Sequence, residues 1–218
     1  MAEYNKVAIT EAEKAVFDAE WDRLFTRHFR AREVNDAYED HKTWILETLG
    51  IAKYQLEATF GGAFARTNEI GWSPILPNHL LASSTPTYAT STWNRYFDTA
   101  DVVTRWKDWI GTSSSNLKLS KYGTMIIIGF ADPVPDPKIE AVLAKVKSVD
   151  YPIFHFGDHL AETDHHIVEL PSPIIVEKEQ EVYFQTLVKK AGLDMLQPIG
   201  VMYGKGDWLR SKTAHAQV

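Results

Sequence analysis

Apolar and polar side chains alternate through residues 167–210, and the breaks in the alternation fall at Pro, Gly and a Lys-Lys pair. Successive side chains of an extended strand point to opposite faces, so this period places one set in a core and the other in water. The segment therefore predicts a series of short strands separated by turns. We interpret the chain as mainly β, an antiparallel β-sandwich with an α-helical N-terminal segment.

Other parts of the chain carry strand or helix patterns in shorter runs. Residues 117–130 predict one long strand or a strand pair, and the continuous apolar run 125–130 is typical of a strand buried on both faces. Residues 52–60 alternate and predict a first strand. The spacing in residues 96–110 is nearly helical. Residues 139–146 fit both periods, and we favour a helix there.

Three turn and strand predictions complete the β region. Residues 132–137 read DPVPDP, which is incompatible with a sheet interior and predicts a rigid surface turn. Residues 204–206, Gly-Lys-Gly, predict a hairpin turn, because the other positions of a phosphate-binding loop are missing. Residues 208–210 predict a short final strand.

The first fifth of the chain predicts two helices. Thr10 and Glu13 form a capping box, in which the hydroxyl and the carboxylate satisfy helix donors reciprocally. A second helical pattern ends at Gly50, where a glycine commonly follows a helix. The patterns predict a helical segment over residues 1–50 and a β-sandwich domain over residues 51–218.

Composition excludes several classes of function. The 218 residues contain no cysteine, which excludes disulfide frameworks, thiol catalysis and cysteine-ligated metal sites. The net charge of −6 argues against a dedicated nucleic-acid binder. No signal peptide is visible, and no apolar run is long enough to span a bilayer. These features predict a soluble or peripheral protein, cytoplasmic unless it belongs to a larger particle.

A histidine-rich stretch is the one cluster with possible chemistry. His155, Asp158, His159 and His166 combine imidazole and carboxylate groups, which a divalent metal would need in a chain without cysteine. Their spacing matches neither HExxH nor a cupin-like pattern. We favour the interpretation that they are loop histidines, exposed or locally hydrogen-bonded, and we predict no other cofactor.

A basic cluster in the first fifth offers a possible phosphate contact. Arg23, Arg27, Arg30 and Arg32 could contact lipid or nucleic acid, since a cationic helix face attracts both. Neighbouring Asp and Glu residues offer a simpler interpretation, a solvated face of ion pairs. We favour the second.

Aromatic residues between 93 and 109 allow two interpretations. Trp93, Tyr96, Trp106 and Trp109 could form a platform for sugars or a partner, although such residues more often belong to a core. No nucleophile elbow and no acid pair stands out. The sequence therefore identifies no small-molecule substrate, and a non-enzymatic role is favoured.

Two stretches near the C-terminus, LPSPIIVEKEQEVYFQTL and PIGVMYGKGDWLR, resemble the closing strands of viral capsid proteins. The resemblance is to jelly-roll capsid proteins of the tailless, membrane-containing phage and archaeal virus lineage, and it covers about 45 residues as a pattern. It implies a jelly roll over residues 51–218, a virion location, and self-association into a homo- or hetero-oligomeric assembly. It also implies a role for the N-terminal helix against lipid or nucleic acid.

Three hypotheses about function follow. The first is a structural, self-assembling capsid or virion component, which the resemblance and the strand-rich pattern favour. The second is a carbohydrate-binding β-sandwich module that uses Trp and Tyr. The third is a metal-dependent enzyme that uses the cluster from His155 to His166.

Overall fold

Antiparallel strands dominate the fold, as the alternation predicts. The computed structural model describes residues 4–21, 32–61, 70–80, 93–102, 106–111, 117–156 and 167–213. Within these residues the protein is mainly β, with helices at its N-terminal side. Every strand pair recorded is antiparallel. The predicted fold class is confirmed at this level.

The described part of the chain forms the following strands and helices. The strands are β1 (Ile70–Pro74), β2 (Asn94–Phe97), β3 (Trp106–Ile110), β4 (Leu117–Lys118), β5 (Gly123–Ala131), β6 (Ile139–Val146), β7 (Val149–Asp150), β8 (Phe154–His155), β9 (Ile167–Val176), β10 (Glu181–Val188), β11 (Gly192–Met195) and β12 (Gln197–Lys205). The helices are α1 (Glu11–Trp21), α2 (Arg32–Asp40), α3 (Lys42–Phe60), α4 (Pro77–Leu80) and α5 (Gly206–Thr213).

The strands form two main sheets and a separate ribbon. One sheet has the order β1-β12-β5-β9. The second has the order β3-β10-β6-β7, with β4 beside β10 and β8 beside β6. The third pairing is a two-stranded ribbon of β2 and β11. Apolar side chains from both main sheets share one core, so the sheets pack face to face.

Strand β5 is buried on both faces, as its continuous apolar run predicts. Met125 and Ile127 contribute to the core between the sheets, whereas Ile126 and Ile128 contribute to a second core under the N-terminal helices. The four-stranded sheet is therefore a middle layer. It lies between the helices on one side and the other sheet on the other.

Hydrogen bonds and aromatic packing fasten the helices to β12. The Tyr38 hydroxyl of α2 donates to the Gly200 carbonyl at 2.9 Å, and the Tyr203 hydroxyl donates to the Ile45 carbonyl of α3. Phe17 and Trp21 of α1 are fully buried in the same core. The helical layer is thus an integral part of the packing around the sheet.

The capping box at the start of α1 is confirmed. The Thr10 backbone N–H donates to a Glu13 carboxylate oxygen at 2.8 Å, and the Glu13 N–H donates to the Thr10 hydroxyl at 3.2 Å. These reciprocal bonds satisfy donors that the first turn of a helix leaves without partners.

The strand predicted over residues 52–60 is wrong, because α3 continues through them to Phe60. Its buried residues recur at helical spacing, as the series Ile45, Leu49, Ala52 and Leu56 shows. Gly50 lies inside this helix, and not at its end. The boundary proposed between residues 50 and 51 therefore falls within a helix, and the division into two domains stays a prediction.

Four further local predictions are wrong. Residues 139–146 form strand β6, because pairing with β10 and burial in the intersheet core decide between the two periods. Residues 208–210 belong to helix α5, and residues 204–206 join β12 to that helix. The near-helical run over residues 96–110 contains strands β2 and β3.

No helix in the described ranges is both long and apolar enough to cross a membrane.

Candidate functional site

The predicted metal cluster is described only at its first residue. His155 ends strand β8, where it lies opposite Ala141 of β6 and is half-buried. Asp158, His159 and His166 lie outside the described residues. Among the residues that the structure covers, no group of three His, Cys, Asp or Glu side chains could hold a metal ion. The metal site stays a prediction.

The predicted basic cluster also falls largely outside the description. Arg23, Arg27 and Arg30 are not among the described residues, and Arg32 is described only as the first residue of α2. Contact of this segment with lipid or nucleic acid stays a prediction.

The candidate aromatic platform is divided between the core and the surface. Trp93 and Trp109 are buried in the intersheet core, with ring centroids 6.1 Å apart. Tyr96 lies on the ribbon and is 74% exposed. Because the two indoles are covered, Trp93 and Trp109 offer no ring face for stacking on a sugar, and a platform that includes Tyr96 and Trp106 stays a prediction.

The ribbon of β2 and β11 carries an exposed apolar pair. Tyr96 lies directly opposite Leu193, and the two side chains are 74% and 55% exposed. Cross-strand partners of this kind project from the same face of a ribbon. The opposite face is buried: Phe97 and Asp194 point inward, and the Arg95 guanidinium donates to the Trp109 carbonyl at 2.9 Å.

A pair of buried carboxyl groups lies beneath this ribbon. Asp132 directly follows β5, Asp194 lies in β11, and their exposed fractions are 0% and 1%. Asp194 Oδ2 accepts hydrogen bonds from the backbone N–H of Lys138 at 2.5 Å and of Ile139 at 2.9 Å. The Met195 N–H donates to Asp194 Oδ1 at 2.9 Å. Asp194 therefore ties the start of β6 to the ribbon.

Asp132 is held differently from its partner. The Val134 N–H donates to Asp132 Oδ1 at 3.3 Å, and no donor among the described residues reaches Asp132 Oδ2. Burial raises the pKa of Asp132 to about 8, and the charge of Asp194 and a hydrogen bond to Asp194 act in the same direction. The folded state therefore favours one proton on the pair, which Asp132 can donate to Asp194.

No local pattern in the sequence indicates that these two carboxyls meet. Asp132 ends the long apolar run of β5 and Asp194 lies between Leu193 and Met195, so each looks like an isolated carboxylate at the edge of an apolar segment. Only the packing of β11 beside the 132–138 loop brings them together. Since both are buried, the pair can store a proton within the fold, but it presents no surface to a substrate.

A second cluster, at the other end of β12, is aromatic. Gly204 of β12 is paired with Gly71 of β1 and with Gly123 of β5. A Cβ added at Gly204 or Gly123 would lie 2.7 or 2.9 Å from the Trp208 ring, so this indole of α5 packs directly on backbone. The absence of side chains at Gly204 and Gly123 leaves the space that the Trp208 indole occupies, and this contact positions α5.

The remaining rings of the cluster cover one another. Phe60 and Tyr122 stack with centroids 5.4 Å apart and planes 6° apart. The Lys121 ammonium lies 5.2 Å from the Tyr122 centroid, and the Lys205 ammonium lies 5.6 Å from the Phe60 centroid. The ring faces of Phe60 and Tyr122 contact each other and the two ammonium groups. These contacts pack the end of α3 against β12.

Comparisons with known proteins assign no family. No protein-family model and no curated protein matches the chain. Among solved structures, a chain of the crystal structure of plant peptide RALF23 in complex with FER and LLG2 is 15% identical, with a TM-score of 0.27. The match covers 57% of this chain and 35% of that one. At this TM-score the likeness carries no argument about fold or function.

Proposed function

We propose that this protein is a self-assembling structural protein with a jelly-roll fold, a component of a virion shell. The observation that carries the proposal is the exposed pair of Tyr96 and Leu193 on a ribbon outside the two main sheets. Large apolar side chains placed together in water favour association with another surface. The strand pairing and the filled interior supply further support.

The strand pairing supports a jelly roll. Such a fold can be built from an eight-stranded hairpin whose pairs 1–8, 2–7, 3–6 and 4–5 are rolled into two sheets. The strands that count from 1 to 8 here are β1, β3, β5, β6, β7, β9, β10 and β12. The observed pairs β1–β12, β3–β10, β5–β9 and β6–β7 then follow the nested order. The first and third pairs share one sheet, and the second and fourth share the other.

The interior argues for a shell protein over other jelly-roll classes. Jelly rolls occur in capsid proteins, lectins and cupins. A cupin-like enzyme needs metal ligands inside the barrel, whereas inward-facing positions such as Ile127, Val142 and Phe184 fill the space between these sheets with apolar side chains. A lectin that stacks sugars on several rings needs those rings exposed together, whereas Trp93 and Trp109 are buried and only Tyr96 of these three is exposed.

The proposed virion role also assigns a function to the basic cluster. In a shell, Arg23, Arg27, Arg30 and Arg32 would contact the lipid or nucleic acid that the shell encloses, because phosphate groups of both attract guanidinium groups.

Self-assembly is tested by light scattering and electron microscopy of the purified chain over a range of concentrations. We expect closed particles of uniform size. Replacing both apolar residues of the ribbon, Y96S with L193S, should leave monomers or small oligomers, because the variant removes the surface that excludes water between copies.

A matched control makes the same kind of change elsewhere. Tyr54 of α3 and Val149 of β7 are also large exposed apolar residues, and the variant Y54S with V149S should assemble as the unmodified chain does. A protein that stays monomeric at high concentration would refute the proposal, as would a ribbon variant that assembles normally.

A further inference from the structure

We propose that Asp132 and Asp194 form a proton-dependent latch. While the pair holds one proton, it fastens the 132–138 loop to β11, and loss of that proton loosens the loop and the ribbon. The carboxyl latch, defined by these two residues, regulates how firmly the Tyr96–Leu193 face is held. Its effect on assembly rests on the proposed function, whereas the latch itself does not.

The geometry places the pair at a junction of separate elements. Asp132 is bonded within the loop through the Val134 N–H, while Asp194 holds the N–H groups of Lys138 and Ile139, where the loop enters β6. Asp132 therefore holds the start of the loop, and Asp194, which belongs to the ribbon, holds its end. A change in the pair acts on the loop and the ribbon together.

The buried state of the pair makes the proton necessary. Two carboxylates side by side without water repel each other, and each loses the solvation that would stabilise its charge. Protonation of Asp132 removes one of the two negative charges. A proton on Asp132 Oδ2, an atom that receives no hydrogen bond from the described residues, can be donated to Asp194. One proton thus satisfies both groups.

No neighbouring cation described by the structure neutralises the pair in place of that proton. Lys189 attracts the Asp132 carboxylate and opposes its protonation, but burial and Asp194 outweigh it. The Lys138 ammonium is bound to Asp136, which also holds Lys190 at 2.8 Å. Arg95, opposite Asp194 in the ribbon, directs its guanidinium to the Trp109 carbonyl.

The latch weakens as pH rises. In an opened loop, Asp132 would titrate near pH 4 as in an unfolded chain, whereas in the closed latch it titrates near pH 8. Between these values the closed form binds one proton more than the open form. The equilibrium between closed and open therefore shifts toward open by up to about tenfold per pH unit, and the shift ends above pH 8.

Amide hydrogen exchange of the full chain measures the latch directly. Protection factors at the N–H groups of Lys138, Ile139 and Met195 should fall as pH rises from 5 to 8 and then level off. In D132N the asparagine amide donates to Asp194 at every pH, so protection should stay high and constant. Equal pH dependence in the unmodified chain and D132N would overturn the proposal.

Two controls separate the latch from other effects. D150N changes an exposed carboxylate of β7 that is paired with Lys145 at the other end of β6, so it should keep the pH dependence of the unmodified chain. If D132N does not fold, infrared difference spectra of the unmodified chain replace it. A protonated carboxylic acid band that is present at pH 7 and lost above pH 9 supports the latch, and its absence at pH 7 overturns it.

Light scattering over the same pH series distinguishes this inference from the proposed function. If the amide protection factors depend on pH as expected but the chain never assembles, the latch is supported and the proposed shell function is rejected. Assembly without titration of these amides would reject the latch alone.

Discussion

At the scale of single residues, the tightest constraint lies at Gly200 of β12. A Cβ at this position would lie 2.0 Å from the Ile126 carbonyl oxygen of β5. The same glycine donates to and accepts from the Tyr38 hydroxyl, and its carbonyl also accepts from the Ile75 N–H. One small residue thus allows two strands and a helix to meet at backbone distance.

Substitution of this glycine should be costly. We expect G200A to lower the free energy of unfolding by about 3 kcal/mol, because the obstructing atom is backbone and cannot rotate away. G71A is the matched control: its Cβ would lie 3.1 Å from a Leu209 methyl carbon, which can move, and the expected cost is about 1 kcal/mol. Denaturant unfolding measures both, and equal costs would contradict the argument.

At the scale of elements, polar contacts between helices and strands set how the layers align. The Lys53 ammonium of α3 lies 2.7 Å from Glu13 of α1, and both side chains are buried. The Gln55 side-chain carbonyl accepts from the Thr124 hydroxyl of β5 at 2.7 Å and from the Lys178 N–H at 3.0 Å. Since buried polar groups need partners, these bonds fix the position of α3 on the sheet.

Removal of one partner from the buried ion pair tests this. K53M leaves the Glu13 carboxylate buried without its cation, and we expect a loss of about 3 kcal/mol in the free energy of unfolding. The double variant E13Q with K53M removes both charges and should recover most of that loss. If the single and double variants unfold alike, the pair does not couple α1 to α3.

The same pair contributes to stability at neutral pH and loses that contribution in acid. Burial alone would raise the pKa of Glu13, but hydrogen bonds from Lys53 and Thr10 lower the pKa overall. The folded state therefore favours the carboxylate. Its contribution is fully present above the unfolded pKa and disappears as pH falls through the lower, folded value, and K53M should show less of this acid-side loss.

At the scale of the whole molecule, two cores share the strands of one sheet. Met202 of β12 belongs to the core between the sheets, while Val201 and Tyr203 belong to the core under the helices. Because neighbouring residues of one strand serve both cores, the helical layer and the sandwich depend on each other for burial of apolar surface.

A fragment experiment tests that dependence. Residues 51–218 and 62–218, expressed alone, should aggregate or lack a cooperative unfolding transition, because the sheet face that includes Ile126 and Tyr203 would lie in water. Addition of residues 1–61 to the second fragment should restore cooperative unfolding. Cooperative unfolding of either fragment alone would instead support the two independent parts that the sequence suggested.

Local patterns in the sequence predicted some elements correctly and others wrongly. The capping box of Thr10 and Glu13, the doubly buried run of β5 and the alternation in β10 follow from side-chain chemistry over a few neighbouring residues. Strand β12 was also predicted to alternate, but its residues 198–204 are buried on both faces. Residues 52–60 alternate like a strand and residues 139–146 fit both periods, and the sequence indicated the wrong element in each. Pairing with a distant strand or packing on a sheet decided them.

The candidate site shows the same division. Tyr96, one residue of the aromatic group that the sequence singled out, lies on the exposed ribbon face, but its partner Leu193 is a common residue that no local pattern distinguishes. Asp132 and Asp194 were missed because a carboxylate acquires its unusual pKa from groups that are distant in sequence. Burial and proximity are properties of the tertiary structure.

The sequence by itself determined the mainly β class, the antiparallel alternation and the helical start, because these depend on the period of apolar side chains and on capping within one turn. Only the tertiary structure decided the strand order, the middle position of the four-stranded sheet, and the meeting of Asp132 with Asp194. Those features depend on which distant strands exchange hydrogen bonds and on which faces exclude water. That choice is made by the packing of the whole chain.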